Sequence, residues 1–213
     1  MKKLAALLLA ATMCVSVTAC GSSTKEDTSA ADNTTAEDTA EEESASDSAA
    51  SDKVFNIGIC QLVQHEAATK GFEDALVEEF GEDGVKFDEQ NAQGDSNTCS
   101  TIINGFVSNN VDLILANATA SLQAAAAGTN EIPILGTAVT EYGVALELSD
   151  FDGTVGGNIS GTSDLAPLDG QADMLHELFP DAKNIGLLYC SAEPNSLYQV
   201  ETIQGYLKEL GYT

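Results

Sequence analysis

The chain has 213 residues and is strongly acidic, with 34 Asp and Glu against 8 Lys and no Arg, so its net charge is −26. Nucleic acid is excluded as a partner, because phosphate binding requires a basic surface. Without Arg, no guanidinium clamp on a carboxylate or phosphate is available in this part of the chain. An anionic ligand group must therefore be held by backbone N–H groups, hydroxyls or the few Lys.

The first twenty residues have the pattern of a secretory signal. Two Lys precede an apolar run, from Leu4 to Val17, that is shorter than the roughly 20 apolar residues of a membrane-spanning helix. The run ends in Val17-Thr18-Ala19-Cys20, which resembles a bacterial lipobox. We predict a lipoprotein signal peptide over residues 1–20 with Cys20 as the lipidation site. The alternative is an ordinary signal peptide with a chance cysteine.

Residues 21–52 contain no Val, Ile, Leu, Met or aromatic residue. Such a segment cannot bury enough apolar surface to offset the entropy that is lost when it becomes ordered. We predict a disordered acidic linker that connects the anchor to the folded part of the protein.

The foldable part begins at Lys53 and opens with alternating strands and helices. Helical spacing of apolar residues predicts helices over 67–80, after Ser96, and over 122–127. Short β-rich runs predict strands over 54–60, 85–91, 111–116 and 132–135. This order predicts a doubly wound parallel sheet, the first α/β lobe, over residues 53–150. Neither G-x-G-x-x-G nor a Walker A loop occurs, so nucleotide binding by those devices is not expected.

The alternation of predicted strands and helices stops after the fourth strand. Residues 141–165 are rich in Gly, Asp, Ser and Thr, and we interpret 151–165 as a crossing between lobes; a plain surface loop is the alternative. A predicted helix over 168–179, strand over 184–189 and helix over 197–210 then make a partial second α/β lobe, residues 166–213. One such unit cannot bury both sheet faces. We expect a truncated second lobe, and weak or no ligand binding by residues 53–213 alone.

Ligands of open α/β sheets bind beyond the carboxyl ends of the strands. Asn117-Ala118-Thr119-Ala120-Ser121 begins a helix there, so its free N–H groups could hold a ligand carboxylate, although Thr119 or Ser121 could simply cap the helix. Asp164 could pair with a ligand ammonium group or cap a helix. Tyr142 and Tyr189 could supply aromatic contact. The predicted ligand-binding residues are Gln61, His65, Asn117, Ala118, Thr119, Thr137, Ala138, Thr140, Asp164, Ser191 and Asn195.

Catalytic and metal-binding patterns are missing from the sequence. No nucleophile, base and orienting residue form a trio, and no ligand spacing suggests a metal, so we expect neither an enzyme nor a cofactor. Cys60, Cys99 and Cys190 are widely spaced, which favours free buried thiols. A Cys60–Cys99 bridge is the alternative, because both residues lie near the carboxyl ends of neighbouring predicted strands.

The order of several short segments resembles the TrpX-like group of ABC-transporter substrate-binding lipoproteins. The resemblance covers nearly all of residues 53–213. Its segments are Asn91-Ala92-Gln93-Gly94-Asp95, Val111-Asp112-Leu113-Ile114-Leu115-Ala116, Ile132-Pro133-Ile134, Thr137-Ala138-Val139-Thr140, Gly156-Gly157-Asn158-Ile159-Ser160-Gly161-Thr162-Ser163-Asp164 and Leu178-Phe179-Pro180-Asp181-Ala182-Lys183.

This resemblance implies a periplasmic-binding-protein type I fold, with a small molecule closed between two lobes and delivered to an ABC permease. Family ligands are often aromatic amino acids. The chain departs from the family at His65-Glu66, where relatives often have His-Pro, and at Thr140-Glu141-Tyr142, where they often have Thr-Asp-Pro. We expect a monomer that contacts the membrane only through its lipid. The alternatives are a sensory receptor that feeds a membrane signalling partner, and a secreted flavodoxin-like enzyme.

Overall fold

A computed structural model describes residues 53–213, in which five parallel strands form one sheet. Six helices accompany the strands in this part of the chain. In chain order the elements are β1 (Phe55–Gln61), α1 (Glu66–Phe80), β2 (Val85–Asn91), α2 (Ser96–Ser108), β3 (Leu113–Asn117), α3 (Thr119–Gly128), β4 (Ile134–Val139), α4 (Tyr142–Ala145), β5 (Ile159–Ser163), α5 (Leu168–Leu178) and α6 (Pro194–Glu209).

The strand order in the sheet is β2-β1-β3-β4-β5. Sequence order reverses beside β1, which has β2 on one side and β3 on the other. Helix α1 covers one face of the sheet, and α2 and α3 cover the other. The predicted doubly wound parallel sheet is therefore confirmed, and its switch point lies between β1 and β3.

The core is asymmetric between the two faces of the sheet. The larger cluster packs α2 and α3 on the sheet, and Phe106 at its centre is fully buried. Phe106 lies against Gly58 of β1, where even a Cβ atom would come within 2.6 Å of the ring. On the opposite face, Phe72 and Leu76 of α1 cover the buried Ile57 and Ile59. Apolar burial on both faces is what fixes the register of β1.

A fifth strand extends the sheet beyond the predicted four. Strand β5 pairs in parallel with β4, with a register irregularity between Gly136 and Val139. It falls within residues 151–165, which we interpreted as a crossing without a strand. Most of β5 is exposed, so its sequence has no apolar alternation from which a strand could be predicted. Backbone hydrogen bonds to β4 hold the strand in the sheet.

The predicted strand over 184–189 is wrong for the described residues. The segment has no strand assignment, and its backbone pairing is confined to its start, where Ile185 N–H donates to Thr213 O at 2.9 Å. Leu188 is fully exposed. A strand needs a neighbouring strand, and the described residues provide none here. The segment packs with α5 and α6 around Ala172, Leu207 and Tyr212 instead.

Helix α2 begins at Ser96, one residue earlier than the predicted start after Ser96. Asp95, and not Ser96, is the N-cap, because its side chain accepts from Asn97 N–H at 2.8 Å. This hydrogen bond, with a second from the Thr98 hydroxyl, lowers the pKa of the Asp95 carboxyl. The carboxylate is exposed, so it acts as a local cap and not as part of a buried site.

The predicted signal peptide, Cys20 and the acidic linker lie outside the described residues. Within residues 53–213, no helix combines the length and the apolar character needed to cross a bilayer. The division of the foldable part into lobes at 150 and 166 stays a prediction.

Candidate functional site

Four polar residues stand side by side at the carboxyl edge of the sheet. The strand register places Gln61 between Asn91 and Asn117, and Asn117 next to Thr137. Register partners in parallel strands point to the same face, so these side chains lie on the face that α1 covers. Gln61 and Asn117 are almost completely buried, and Thr137 is half-buried. We name Asn91, Gln61, Asn117 and Thr137 the strand-end row.

The backbone is strained at or within two residues of the carboxyl ends of three of these strands. Gln93, Ala118 and Ala138 all have positive φ angles, at 55°, 84° and 52°. Ala118 also has ψ 159°, a combination that is essentially restricted to glycine. Such strain costs on the order of 1–3 kcal/mol and clusters at ligand clamps and switch regions. Its position beside the strand-end row supports the predicted location of the site.

A buried hydrogen-bond network joins the strand-end row to α1. Gln61 Oε1 accepts from His65 N–H at 2.9 Å and from the Thr69 hydroxyl at 3.1 Å, while Gln61 Nε2 donates to Glu89. Asn117 Nδ2 donates to Thr69 Oγ1 in a long bond of 3.4 Å. Thr69 is buried and links the two amides, although sequence reasoning missed it. The one sequence feature that could have indicated its role is that a threonine occupies an otherwise apolar position of α1.

The N-terminus of α3 lies two residues beyond the row. The first backbone bond of the helix runs from Leu122 N–H to Ala118 O, and Ala118 provides no side-chain cap. The N–H groups of residues 119–121 therefore have no acceptor in the described part of the chain. Thr119 and Ser121 are both buried, and neither caps the helix. These N–H groups, with the helix dipole, form an electropositive position suited to a carboxylate.

Two cysteines lie behind this helix terminus. Ser121 Oγ is 3.7 Å from Cys60 Sγ and 3.5 Å from Cys99 Sγ, and both thiols are free and fully buried. Their mutual hydrogen bond raises the pKa of Cys60 and lowers that of Cys99, because it favours the thiolate on Cys99. Cys190 is free but exposed, so the expectation of buried thiols is wrong for that residue.

A second polar group surrounds the ends of β4 and β5. Thr140 is buried, and its carbonyl accepts from the Ser163 hydroxyl at 2.7 Å. Asp164 N–H donates to Val139 O at 3.0 Å, which places Asp164 next to Thr140 and leaves its carboxylate exposed. Tyr142 is buried here, and its hydroxyl donates to Thr162 O at 3.3 Å.

The Tyr142 hydroxyl gives a pH test of this packing. Burial, with the charge of Asp164, raises its pKa from 10.0 to about 12. A raised folded-state pKa means that stability is intact below pH 10 and falls as pH rises towards 12. Tyr142→Phe should cost about 1 kcal/mol at pH 8, through the lost hydrogen bond, and this deficit should shrink above pH 10. Urea unfolding of both proteins at pH 8, 10 and 11 checks this prediction. A difference in the free energy of unfolding that stays constant across these pH values would contradict it.

Three of the predicted ligand-binding residues, His65, Ser191 and Asn195, make no side-chain hydrogen bond to the strand-end row among the described residues. His65 precedes α1 and is exposed, although its backbone N–H contacts Gln61. Ser191 is exposed and Asn195 half-buried at the start of α6, and no hydrogen bond among the described residues joins either to the row. A cavity of about 340 Å³ lies between the 185–189 segment and α6. Tyr189, which we considered as an aromatic contact, lines it, but none of the eleven predicted ligand-binding residues does.

Comparison with known proteins identifies the family. Residues 56–213 match the family of ABC transporter substrate binding proteins. This chain belongs to that family. A curated relative, a tyrosine-binding protein of Clostridioides difficile (strain R20291), is 44% identical over 170 residues, which are 76% of this chain and 48% of the relative.

Two solved substrate-binding structures support the assignment. An ABC domain from Streptococcus pneumoniae in complex with L-Trp is 35% identical, with TM-score 0.69 over 76% of this chain and 56% of that one. The ligand-free, open structure of a substrate binding protein with adhesive properties from Clostridium difficile is 41% identical, with TM-score 0.59 over 75% and 56%. The chain thus spans about half the length of these relatives. The expected type I binding-protein fold is confirmed.

Proposed function

We propose that this chain captures an amino acid, with an aromatic side chain as the favoured class, outside the cytoplasmic membrane. It delivers this ligand to the permease of an ABC importer and performs no chemistry on it. The signal pattern of residues 1–20 supports export and a lipid anchor at Cys20. Family membership and relatives that carry tyrosine and L-Trp in their names support the ligand class.

One observation carries the proposal: the N–H groups of residues 119–121, which have no acceptor among the described residues, follow directly on the buried Asn117, the neighbour of Gln61 in the sheet. Because residues 1–213 contain no Arg, we assign the ligand carboxylate to this helix terminus. The other proposed contacts from the first lobe are His65, Ala118, Thr119, Thr137, Ala138, Thr140 and Asp164, and those from the second are Ser191 and Asn195.

Closure of two lobes would follow ligand binding. A ligand stabilises the closed form only by contacts that the open form lacks, so residues from both lobes must touch it. We include Ser191 and Asn195 in the proposed site for this reason, although no hydrogen bond among the described residues joins them to the strand-end row.

Calorimetry on the complete mature protein tests the proposal. We expect L-tryptophan or L-tyrosine to bind, and tryptamine, which lacks the carboxylate, to bind at least tenfold more weakly. Thr119→Pro removes one N–H at the first helical position, where proline is tolerated. It should weaken amino-acid binding about tenfold or more, since a hydrogen bond to a charged group contributes about 1.5–3 kcal/mol.

Ser96→Pro is the matched control, because it places proline at the same position of α2, where the side chain is exposed and the preceding residue is extended. It should leave the affinity unchanged. Failure of every amino acid to bind, or equal losses for tryptophan and tryptamine in Thr119→Pro, would count against the carboxylate position.

A further inference from the structure

One buried oxygen in the strand-end row has no partner. Asn117 Oδ1 is the one buried side-chain polar atom without a hydrogen bond among the residues that the structure describes. Asn117 is fully buried, and the strained Ala118 follows it directly. Buried polar atoms in native proteins are nearly always paired, so an orphan acceptor requires an explanation.

The orientation of the Gln61 amide is fixed at both ends. Its oxygen faces the backbone N–H of His65, which can only donate. Its nitrogen faces the Glu89 carboxylate, which accepts. A flipped amide would set donor against donor at His65 and acceptor against acceptor at Glu89, so one orientation is consistent with both neighbours.

This orientation decides the role of Thr69. The Thr69 hydroxyl has a single hydrogen, and it must donate that hydrogen to Gln61 Oε1, which can only accept. Thr69 Oγ1 is then an acceptor towards Asn117, so the Asn117 amide turns its nitrogen to Thr69. The Asn117 oxygen consequently points away from Thr69 and stays unpaired.

We infer that Thr69 is a positioning residue that fixes which way the Asn117 side-chain amide faces. With its nitrogen turned to Thr69, the amide presents Oδ1 to the site, where it accepts a hydrogen bond from the ammonium group of an amino acid. This inference rests on the proposed function and deepens it. The carboxylate position at residues 119–121 lies two residues further along the chain. Asn117 and the helix terminus together distinguish the two charged ends of a zwitterion.

The binding test compares L-tryptophan with indole-3-propionic acid, which lacks only the ammonium group. In the unsubstituted complete protein, tryptophan should bind at least tenfold more tightly. Thr69→Val, or Thr69→Ala if the valine variant does not fold, should reduce this ratio to below threefold, because the Asn117 amide is free to turn. Thr69→Ser keeps the hydroxyl and should retain the ratio.

Thr101→Val on α2 is the matched control, because the Thr101 hydroxyl bonds only to its own helix and the residue is exposed. A merely structural role for Thr69 would weaken both ligands equally and leave the ratio unchanged. That outcome, or equal binding of the two ligands by the unsubstituted protein, would overturn the inference.

A ligand-free measurement separates this inference from the proposed function. Side-chain amide NMR of Asn117 should show slowly exchanging Nδ2 protons in the unsubstituted protein and in Thr69→Ser, and at least tenfold faster exchange in Thr69→Val or Thr69→Ala. Unchanged exchange would overturn the role of Thr69. Failure of all amino acids to bind would contradict the proposed function, whatever the NMR result.

Discussion

Replacing Gly58 with alanine should lower the free energy of unfolding by about 2 kcal/mol. The added Cβ atom would lie 2.6 Å from the Phe106 ring, which is fully buried and packed by α2 and α3. Overpacking of this kind costs about 1–3 kcal/mol. Alanine also lowers the conformational entropy of the unfolded chain, which recovers less than half of that cost. The chain has no Trp, so urea unfolding followed by far-ultraviolet circular dichroism is the suitable measurement.

Gly71→Ala is the matched control with the opposite sign. Gly71 is exposed on α1, and a Cβ atom there would meet nothing within 4 Å. Alanine should stabilise the helix by about 0.5–1 kcal/mol. The double variant Gly58→Ala with Phe106→Leu should lose less stability than the sum of the two single substitutions, by more than about 0.5 kcal/mol, because the smaller leucine makes room for the added Cβ atom. Equal free energies of unfolding for the Gly58→Ala and Gly71→Ala variants would show that the Phe106 ring shifts without cost, and this would contradict the predicted overpacking.

Substitutions of Ala118 should change stability in both directions. Its φ of 84° and ψ of 159° suit glycine, so Ala118→Gly should stabilise the protein by about 1 kcal/mol, the strain released minus the entropy that glycine costs. A β-branched side chain is a severe outlier at this φ, so Ala118→Val should destabilise by more than about 2 kcal/mol. The same urea measurement checks both variants.

Ala120, two residues later in α3, provides the control. It is half-buried and helical, so Ala120→Gly should destabilise by about 0.5–1 kcal/mol, the ordinary cost of glycine in a helix. Should Ala118→Gly also destabilise, the strain assigned to Ala118 would be wrong.

The sequence predicted the elements that carry their own pattern. Strands β1 to β4 and helices α1, α2, α5 and α6 have apolar residues at the period of their structure, and all form within a few residues of the expected bounds. Strand β5 has the sequence Ile-Ser-Gly-Thr-Ser and pairs at the sheet edge, so only its backbone identifies it. The 184–189 segment failed for the converse reason. Its residues favour a strand, but strand formation depends on a neighbour distant in sequence.

The site could be predicted only as far as local rules extend. Because parallel strands end at a common edge, the polar residues after β1, β3 and β4 were expected together, and register places Gln61, Asn117 and Thr137 in one row. The link through Thr69 depends on how α1 packs over β1 and β3, which no spacing in the sequence reveals. The positions of Ser191 and Asn195 relative to the row likewise depend on tertiary packing.

The half-paired 184–189 segment affects how residues 53–213 would behave in concentrated solution. Beyond the bond from Ile185 to Thr213, its backbone groups up to Tyr189 have no backbone partner in the described residues, and an open edge of this kind templates pairing with other molecules. Mutual repulsion among excess carboxylates opposes that association, because these residues carry 24 acids and 5 Lys. Salt screens the repulsion, so low ionic strength favours dispersed molecules and high ionic strength favours oligomers.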